Sequence, residues 1–162
     1  MFGKKSVFDV PVVMQMENLE CGAASLCMVL AYFGKWLPLE QVRADCAVSR
    51  DGCNARNILK ASKYYGLTAA GYRLEPKDLR SLIHPVILHW NFNHFVVFCG
   101  FKKKTAVLND PARGRVEVSL EEFEKSFTGI ILKFQPNEAF RREGKPRSIW
   151  GFARKRLQHS LV

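Results

Sequence analysis

An apolar run from Gly22 to Phe33 constrains the fold most, because a helix formed by it needs burial on every side. Ser25 is the only clearly polar residue in the run, and Gly34 directly after it supplies a helix stop. A helix that is apolar all round belongs at the centre of a core. We therefore predict a buried central helix here, with the rest of the chain packed around it.

Cys21 stands directly before this run, at the N-terminal end of the predicted helix. Unpaired backbone N–H groups and the positive end of the helix dipole lie at that end, and both favour a thiolate over a thiol. Gly22 has no side chain, so it would let a substrate backbone come close. The sequence thus predicts a nucleophile at Cys21 with a substrate-binding residue, Gly22, beside it.

The length and the composition limit the number of domains. The chain has 162 residues, of which 48% are hydrophobic, so it can bury one core and is too short for a second full domain. No apolar run reaches the ~18 residues of a membrane span, and the first residues lack the apolar stretch of a signal peptide. We expect one domain followed by a tail, in a soluble protein of the cytoplasm.

The cysteines and the charge exclude several classes of protein. Five cysteines are odd in number and form no CxxC pair, so a disulfide framework or a zinc site has little support. The net charge is +10, but residues 141–162 alone hold seven Lys or Arg against one Glu. Because the rest of the chain is not notably basic, we expect no nucleic-acid partner, and we expect no metal or other cofactor.

The sequence divides into a helical first half and a β-rich second half. Pro38 favours the first turn of a second helix, and Asn54 can cap a third helix that ends at Gly66. Short helices are predicted at 75–79 and 119–127, and strands at 68–74, 85–90, 94–101, 105–109, 115–118 and 130–134. Helices first and an antiparallel sheet afterwards indicate the α+β class.

The sequence contains the three residue types that acyl transfer by a thiol requires, at positions that the fold could bring together. Cys21 begins the central helix, His94 opens a strand, and Asp110 follows the strand paired with it in a hairpin. They can serve as nucleophile, general base and orienting acid, since the hairpin brings the histidine and the aspartate to the same open end. Gln15, on the approach to the helix, can direct its amide at the oxyanion beside the N–H of Cys21.

Each of these residues also has an ordinary structural interpretation. A cysteine among apolar residues is usually a small core side chain, and we assign that role to Cys27, Cys46, Cys53 and Cys99. An aspartate before a proline is usually a turn residue. We interpret the remaining histidines as satisfied surface groups: His84, His89 and His159. Spacing alone leaves both interpretations of Cys21, His94 and Asp110 open.

Three motifs resemble those of the cysteine peptidase domain at the N-terminus of bacteriocin-processing, peptide-exporting ABC transporters. They are Gln15-Met-Glu-Asn-Leu-Glu-Cys21-Gly-Ala-Ala-Ser, His94-Phe-Val-Val and Asn109-Asp110-Pro111-Ala-Arg-Gly114. The likeness covers roughly residues 5–135 and implies a papain-like fold, with N-terminal helices packed on a C-terminal antiparallel sheet. It also implies that Cys21 is the nucleophile and His94 the base. Asp110 would orient His94, and Gln15 would belong to the oxyanion hole.

The resemblance carries an expectation about function. Members of that family remove leader peptides after a double-glycine motif, on the cytoplasmic face of the membrane and before export. The chain would then be a cysteine endopeptidase acting on a precursor of the bacteriocin or lanthipeptide type. In the intact protein it would be joined to the transmembrane and ATPase domains of a transporter. Two alternatives stay open: a docking module that binds the leader without cutting it, and another Cys-His-Asp acyl transferase.

Residues 136–162 are predicted to be a basic linker followed by an amphipathic helix. In helical geometry its apolar residues spread over about half of the circumference: Ile149, Trp150, Phe152, Ala153, Leu157 and Leu161. With a tryptophan and a basic cluster, residues 148–161 are typical of a helix at a membrane surface. We expect that contact in the intact protein.

The double-glycine site implies a narrow channel for the substrate. We predict this channel over Gly22 and the turn at residues 90–93, with Gly22, Trp90 and Asn93 as substrate-binding residues. Two glycines bury little surface and lose much backbone entropy on ordering. We therefore expect the upstream leader to dock as an amphipathic helix on an exposed apolar patch.

Overall fold

The central helix lies where the apolar run predicts it. The computed structural model describes residues 7–47 and 52–146, and its first α-helix, α1, runs over Cys21–Phe33. Every residue from Cys21 to Ala31 is buried. Gly34 ends the helix with φ of +102°, a left-handed conformation that glycine adopts without strain. Within the described residues, no helix combines the length and the apolarity that crossing a membrane requires.

Two shorter helices complete the helical half. Helix α2 covers Leu39–Asp45, and Pro38 stands just before it, not inside its first turn as predicted. Helix α3 covers Ala55–Tyr64, and the side chain of Asn54 accepts a hydrogen bond from the N–H of Asn57. This is the predicted cap, which satisfies one of the free N–H groups of the first turn.

The second half forms one antiparallel sheet of six strands in the order β1-β6-β2-β3-β4-β5. The strands are β1 Leu67–Arg73, β2 Val86–Trp90, β3 His94–Phe101, β4 Thr105–Asp110, β5 Gly114–Ser119 and β6 Phe127–Pro136. The last strand begins three residues before its predicted start at 130. A 3₁₀ helix at Pro76–Ser81 and helix α4 at Leu120–Ser126 stand where short helices were predicted.

The central strands of the sheet are buried on both faces, each face in its own apolar cluster. On one face α1 packs against alternate residues of the central strands, among them Ile87, Phe95 and Val97. The hydroxyl of Ser25 donates to the carbonyl oxygen of Phe95 at 3.4 Å, which satisfies the one polar side chain of the helix. On the other face Phe123 of α4 fills the second cluster. The α+β prediction is confirmed, with the helices of the first half packed on the sheet.

The start of the predicted tail packs on the domain. Asn137 donates its N–H to the carbonyl oxygen of Gly66, and Trp36 donates to that of Glu143. Lys35 forms an ion pair with the Glu143 carboxylate at 3.4 Å. Residues 137–143 therefore close over the C-terminal end of α1. The amphipathic helix predicted at 148–161 lies outside the described residues.

Candidate active site

Cys21 is the first residue of α1, so its position at a helix N-terminus is the predicted one. The backbone reaches it through a 3₁₀ turn at Asn18–Glu20 that runs directly into the helix. The thiol is buried at the edge of the main core. The free N–H groups of the first helical turn therefore lie beside the sulfur.

His94 and Asp110 form a direct pair. His94 opens β3 and Asp110 ends β4, and these strands are antiparallel neighbours, so both residues stand at the same end of the two strands. The Nε2 atom of His94 lies 2.8 Å from Oδ1 of Asp110. With Nε2 engaged by Asp110, Nδ1 is the ring nitrogen left to interact with the side chain of Cys21. The structure thus brings all three predicted residues together.

The pairing raises the pKa of His94 and lowers the pKa of Asp110, so both side chains stay charged. Burial lowers the pKa of His94, but hydrogen bonds with Asp110 and Cys21 and their negative charges outweigh it and raise the pKa to about 9. Burial raises the pKa of Asp110, yet its donors outweigh that and lower it to about 2. At neutral pH the site therefore holds an imidazolium between two acidic groups.

Asp110 has further donors that sequence reasoning missed. The N–H of Ala112 donates to Oδ1 at 2.8 Å, and Nε of Arg113 donates to Oδ2 at 3.0 Å. Together with His94 they use both carboxylate oxygens. The signal was local, since Arg113 follows Asp110 by three residues in the turn to β5. The aspartate before proline is thus a turn residue and a partner of His94 at once.

Gln15 lies beside this pair because its backbone is attached to the turn after Asp110. Its N–H donates to the carbonyl oxygen of Pro111 at 2.9 Å. The buried amide of Asn109 donates to the carbonyl oxygen of Val10 at 2.8 Å, which ties the same segment to β4. Within residues 7–47 and 52–146, the buried Oε1 of Gln15 has no hydrogen-bond partner. This oxygen can only accept a hydrogen bond, and the Nε2 group at the other end of the same amide is the one that could donate to an oxyanion.

Two of the three predicted substrate-binding residues, Gly22 and Trp90, are packed inside the domain. A Cβ at Gly22 would lie 2.9 Å from Cδ1 of Ile58 and 3.3 Å from Cβ of Cys53. The packing of α1 against α3 and the residue Cys53 before it thus accounts for a glycine at this position. Trp90 is buried in the second cluster, with its ring 5.6 Å from that of Phe123. Of the three residues only Asn93 is exposed, in the turn next to His94.

The remaining cysteines and histidines have other surroundings. All four other cysteines are buried, as predicted; burial raises the pKa of Cys27 to about 12 and that of Cys99 to about 11. His84 is not a satisfied surface group, since Nδ1 is buried without a partner in the described part of the chain and its ring packs on Phe33. His89 contacts the hydroxyl of Thr128 at 3.0 Å, and His159 is outside the described residues. Across the described ranges no three or more His, Cys, Asp or Glu side chains are grouped to hold a metal ion.

Comparisons with known proteins give the site a context. A model of the peptidase C39 family matches residues 9–139. Two proteins of Escherichia coli are each 40% identical to the chain: the probable microcin-H47 secretion/processing ATP-binding protein MchF, over 81% of it, and the colicin V secretion/processing ATP-binding protein CvaB, over 83%. The match covers only 19% of the length of each of those two proteins.

Solved structures agree with this match. A double glycine motif protease from an AMS/PCAT transporter, in complex with the leader peptide, is 62% identical with a TM-score of 0.79. The match covers 83% of this chain and 96% of that one. The peptidase domain of Streptococcus ComA is 22% identical with a TM-score of 0.74, over 80% and 99% of the two chains, and shows the fold alone. The expected papain-like α+β fold is confirmed.

Proposed function

Because the chain belongs to the peptidase C39 family, we propose that it removes the leader from a precursor peptide by cutting after a double-glycine motif. Membership makes the chain a cysteine peptidase, a hydrolase of peptide bonds. The specificity is inferred from the 62% identical structure, which is that of a double glycine motif protease with its leader peptide. The residue roles are inferred from the geometry of Cys21, His94, Asp110 and Gln15.

The first half-reaction forms a thioester on Cys21. The sulfur, as thiolate, attacks the carbonyl carbon of the second glycine, and an electron pair of the carbonyl bond moves onto oxygen. The amide of Gln15 and the N–H of Cys21 donate to that oxyanion. When the tetrahedral intermediate collapses, the C–N bond breaks and the His94 imidazolium gives its proton to the leaving amine.

The second half-reaction releases the leader. His94, now neutral, accepts a proton from water as the water oxygen attacks the thioester carbonyl. The C–S bond breaks, and Cys21 leaves as the thiolate that began the cycle. Asp110 keeps the imidazole ring oriented through Nε2 and stabilises its charged form in both halves.

The observation that carries this function is the hydrogen-bonded pair of His94 and Asp110 directed at a cysteine on a helix N-terminus. The test is mass spectrometry of the chain mixed with double-glycine leader peptides. We expect two fragments, and none from Cys21→Ala, which should still bind the leader. The matched control is Cys27→Ala, in the same helix. Stoichiometric binding without fragments, in protein with intact Cys21, would identify a docking module, and transfer products with added amines would identify an acyl transferase.

We propose that the leader docks beside Gln15. A groove of about 480 Å³ lies between the segment carrying Val12, Met14 and Met16 and the stretch from Trp36 to Leu39. Met16 is 82% exposed, which is unusual for so apolar a side chain, and it adjoins Gln15. A leader helix with apolar residues at helical spacing would cover this groove and place the following glycines at Cys21.

The docking surface can be tested separately from the chemistry. Met16→Ser should raise the Michaelis constant for the full leader peptide and leave kcat nearly unchanged. The reason is that the contact stabilises the enzyme–substrate complex and the transition state equally. Tyr64→Ser, at an exposed aromatic residue on α3 away from the groove, is the matched control. Equal cutting of the full leader and of a short peptide holding only the glycine junction would rule out remote docking.

We also propose that cleavage is coupled to export. The E. coli relatives are secretion/processing ATP-binding proteins, and this chain corresponds to about a fifth of their length. In an intact protein of that kind the domain would act at the cytoplasmic face of the membrane, joined to transmembrane and ATPase parts. Residues 148–161 would then contact the membrane surface.

A further inference from the structure

Glu20 is a buried carboxylate that the mechanism above does not use. It stands directly before the nucleophile, and only 2% of its surface is exposed. A buried carboxylate is costly unless charged or hydrogen-bonding partners satisfy it. Glu20 is therefore held by specific contacts, and these contacts indicate what it does.

Its two oxygen atoms connect three parts of the chain. Oε2 accepts the N–H of Met16 at 2.8 Å and the N–H of Glu17 at 3.1 Å. Oε1 pairs with Nη1 of Arg43, on α2, at 3.1 Å. Arg43 is 44% exposed, so the guanidinium keeps its hydration while it balances the buried charge.

The contact with Met16 bears directly on Gln15. The N–H of Met16 belongs to the peptide bond that follows Gln15, and the N–H of Gln15 itself donates to the carbonyl oxygen of Pro111. Gln15 is thus fixed on both sides, by the turn after Asp110 and by Glu20. The segment around it has no regular secondary structure, so these bonds replace a helix or strand as its support.

The backbone of Glu20 adds the second connection. The peptide bond between Glu20 and Cys21 carries the N–H that we assign as the other donor to the oxyanion. One residue therefore links the two donors: its main chain leads into the Cys21 N–H, and its side chain holds the peptide of Gln15. Oxyanion donors must be placed to within a fraction of an ångström to act on the transition state.

From these contacts we infer that Glu20 is a positioning residue of the peptidase, which sets the Gln15 amide relative to the N–H of Cys21, with Arg43 as its counterion. This inference rests on the proposed function, since it requires Gln15 to act on the oxyanion. Glu20 touches neither substrate nor sulfur in this role. Its removal should therefore act on turnover, and only through Gln15.

The test is a double-mutant cycle of Glu20→Gln and Gln15→Ala, measured as kcat on a double-glycine leader peptide. The glutamine variant has one acceptor oxygen in place of two. Its NH₂ group would face either the N–H groups of Met16 and Glu17 or the guanidinium of Arg43, so one of these contacts is lost. We expect kcat to fall at least about tenfold, and by no more than the roughly 10²- to 10³-fold cost of deleting an oxyanion donor. In the Gln15→Ala background the same change should cost less than about twofold.

Controls separate this role from a general loss of structure. Glu17→Gln removes the other carboxylate partner of Arg43. The Glu17 side chain is 62% exposed, and its Oε2 lies 3.2 Å from Nη2 of Arg43. This change should leave kcat within about twofold. Thermal unfolding reports folding, and the rate of Cys21 alkylation by iodoacetamide reports the nucleophile. If Glu20→Gln does not fold, Arg43→Met enters the same cycle in its place.

The outcomes distinguish this inference from the proposed function. Additive effects of Glu20→Gln and Gln15→Ala, or a fall in Cys21 alkylation equal to the fall in kcat, would overturn the positioning role and leave the peptidase intact. A fully active Gln15→Ala would remove the oxyanion role of Gln15 and this inference with it. Absence of cleavage by the unaltered chain would contradict the proposed function itself.

Discussion

The two sides of the site are built in different ways. The strand side, His94 and Asp110, lies on adjacent antiparallel strands whose ladder of backbone hydrogen bonds sets their relative position. The segment side, Gln15 with Glu20, lies on irregular chain and a short 3₁₀ turn before α1, and it is held by a few bonds to Pro111, Asn109 and Arg43. The first position follows from the sheet, whereas the second depends on individual side chains.

This difference has an energetic consequence. Asp110 has three donors, from His94, Ala112 and Arg113, so the loss of one leaves two others in place. Gln15 has one backbone bond of its own, and its neighbouring peptide depends on Glu20. We expect the strand side to tolerate changes around it better than the segment side. Changes on the strand side should move the pH dependence of kcat/KM, whereas changes on the segment side should lower kcat without moving it, so experiments can separate the two sides.

Asp110→Asn should have the largest effect of the three changes considered next. Loss of the charge and of the proper acceptor leaves His94 poorly oriented, and general acid–base catalysis contributes roughly 10²- to 10⁴-fold. Because the carboxylate stabilises the imidazolium, its removal lowers the pKa of His94 from about 9. The alkaline limb of kcat/KM should therefore move to lower pH. A pH profile with an unmoved limb would contradict this assignment of His94.

Gln15→Ala should lower kcat by roughly 10²- to 10³-fold, the usual cost of one oxyanion donor. The leader affinity should stay unchanged, because the Gln15 side chain does not line the docking groove. The alkaline limb of kcat/KM should also stay unchanged, because Gln15 does not affect the protonation of His94. The rate of Cys21 alkylation should also stay the same. A shifted pH limb in this variant would mean that the two sides of the site are not independent.

The same difference explains what could be predicted from the sequence. The apolar run of α1 and the β-rich runs of β3 and β4 are local patterns, so they predicted the helix and the strands that carry Cys21, His94 and Asp110. Glu20 and Asn109 were missed because their roles depend on tertiary contacts: Asn109 meets Val10 across 99 positions of sequence. Trp90, predicted as a substrate contact, is buried against Phe123 of α4, because a strand pattern does not show which face of the strand another element covers.

Gly22 shows a related limit. The glycine was predicted to allow a substrate backbone to come close, but the sequence does not say which atoms lie there. The structure places Ile58, on α3, and Cys53, just before α3, at that position. A small residue beside a nucleophile is thus explained equally well by substrate or by packing until the tertiary contacts are known.

Arg113→Met should have the smallest effect, and it tests whether the strand side is as redundant as its contacts indicate. The Arg113 side chain is 50% exposed, and an ion pair in that setting contributes about 0.2–1 kcal/mol, which is less than about a sixfold change in rate. With His94 and Ala112 still donating, Asp110 should stay ionised and the alkaline limb should not move to lower pH. Arg113→Lys should behave like the methionine variant, since the remaining donors already hold the carboxylate. If Arg113→Met instead lowered kcat/KM a hundredfold, with the fold intact by thermal unfolding, Asp110 would depend on a single surface contact. The strand side would then be no more robust than the segment that carries Gln15.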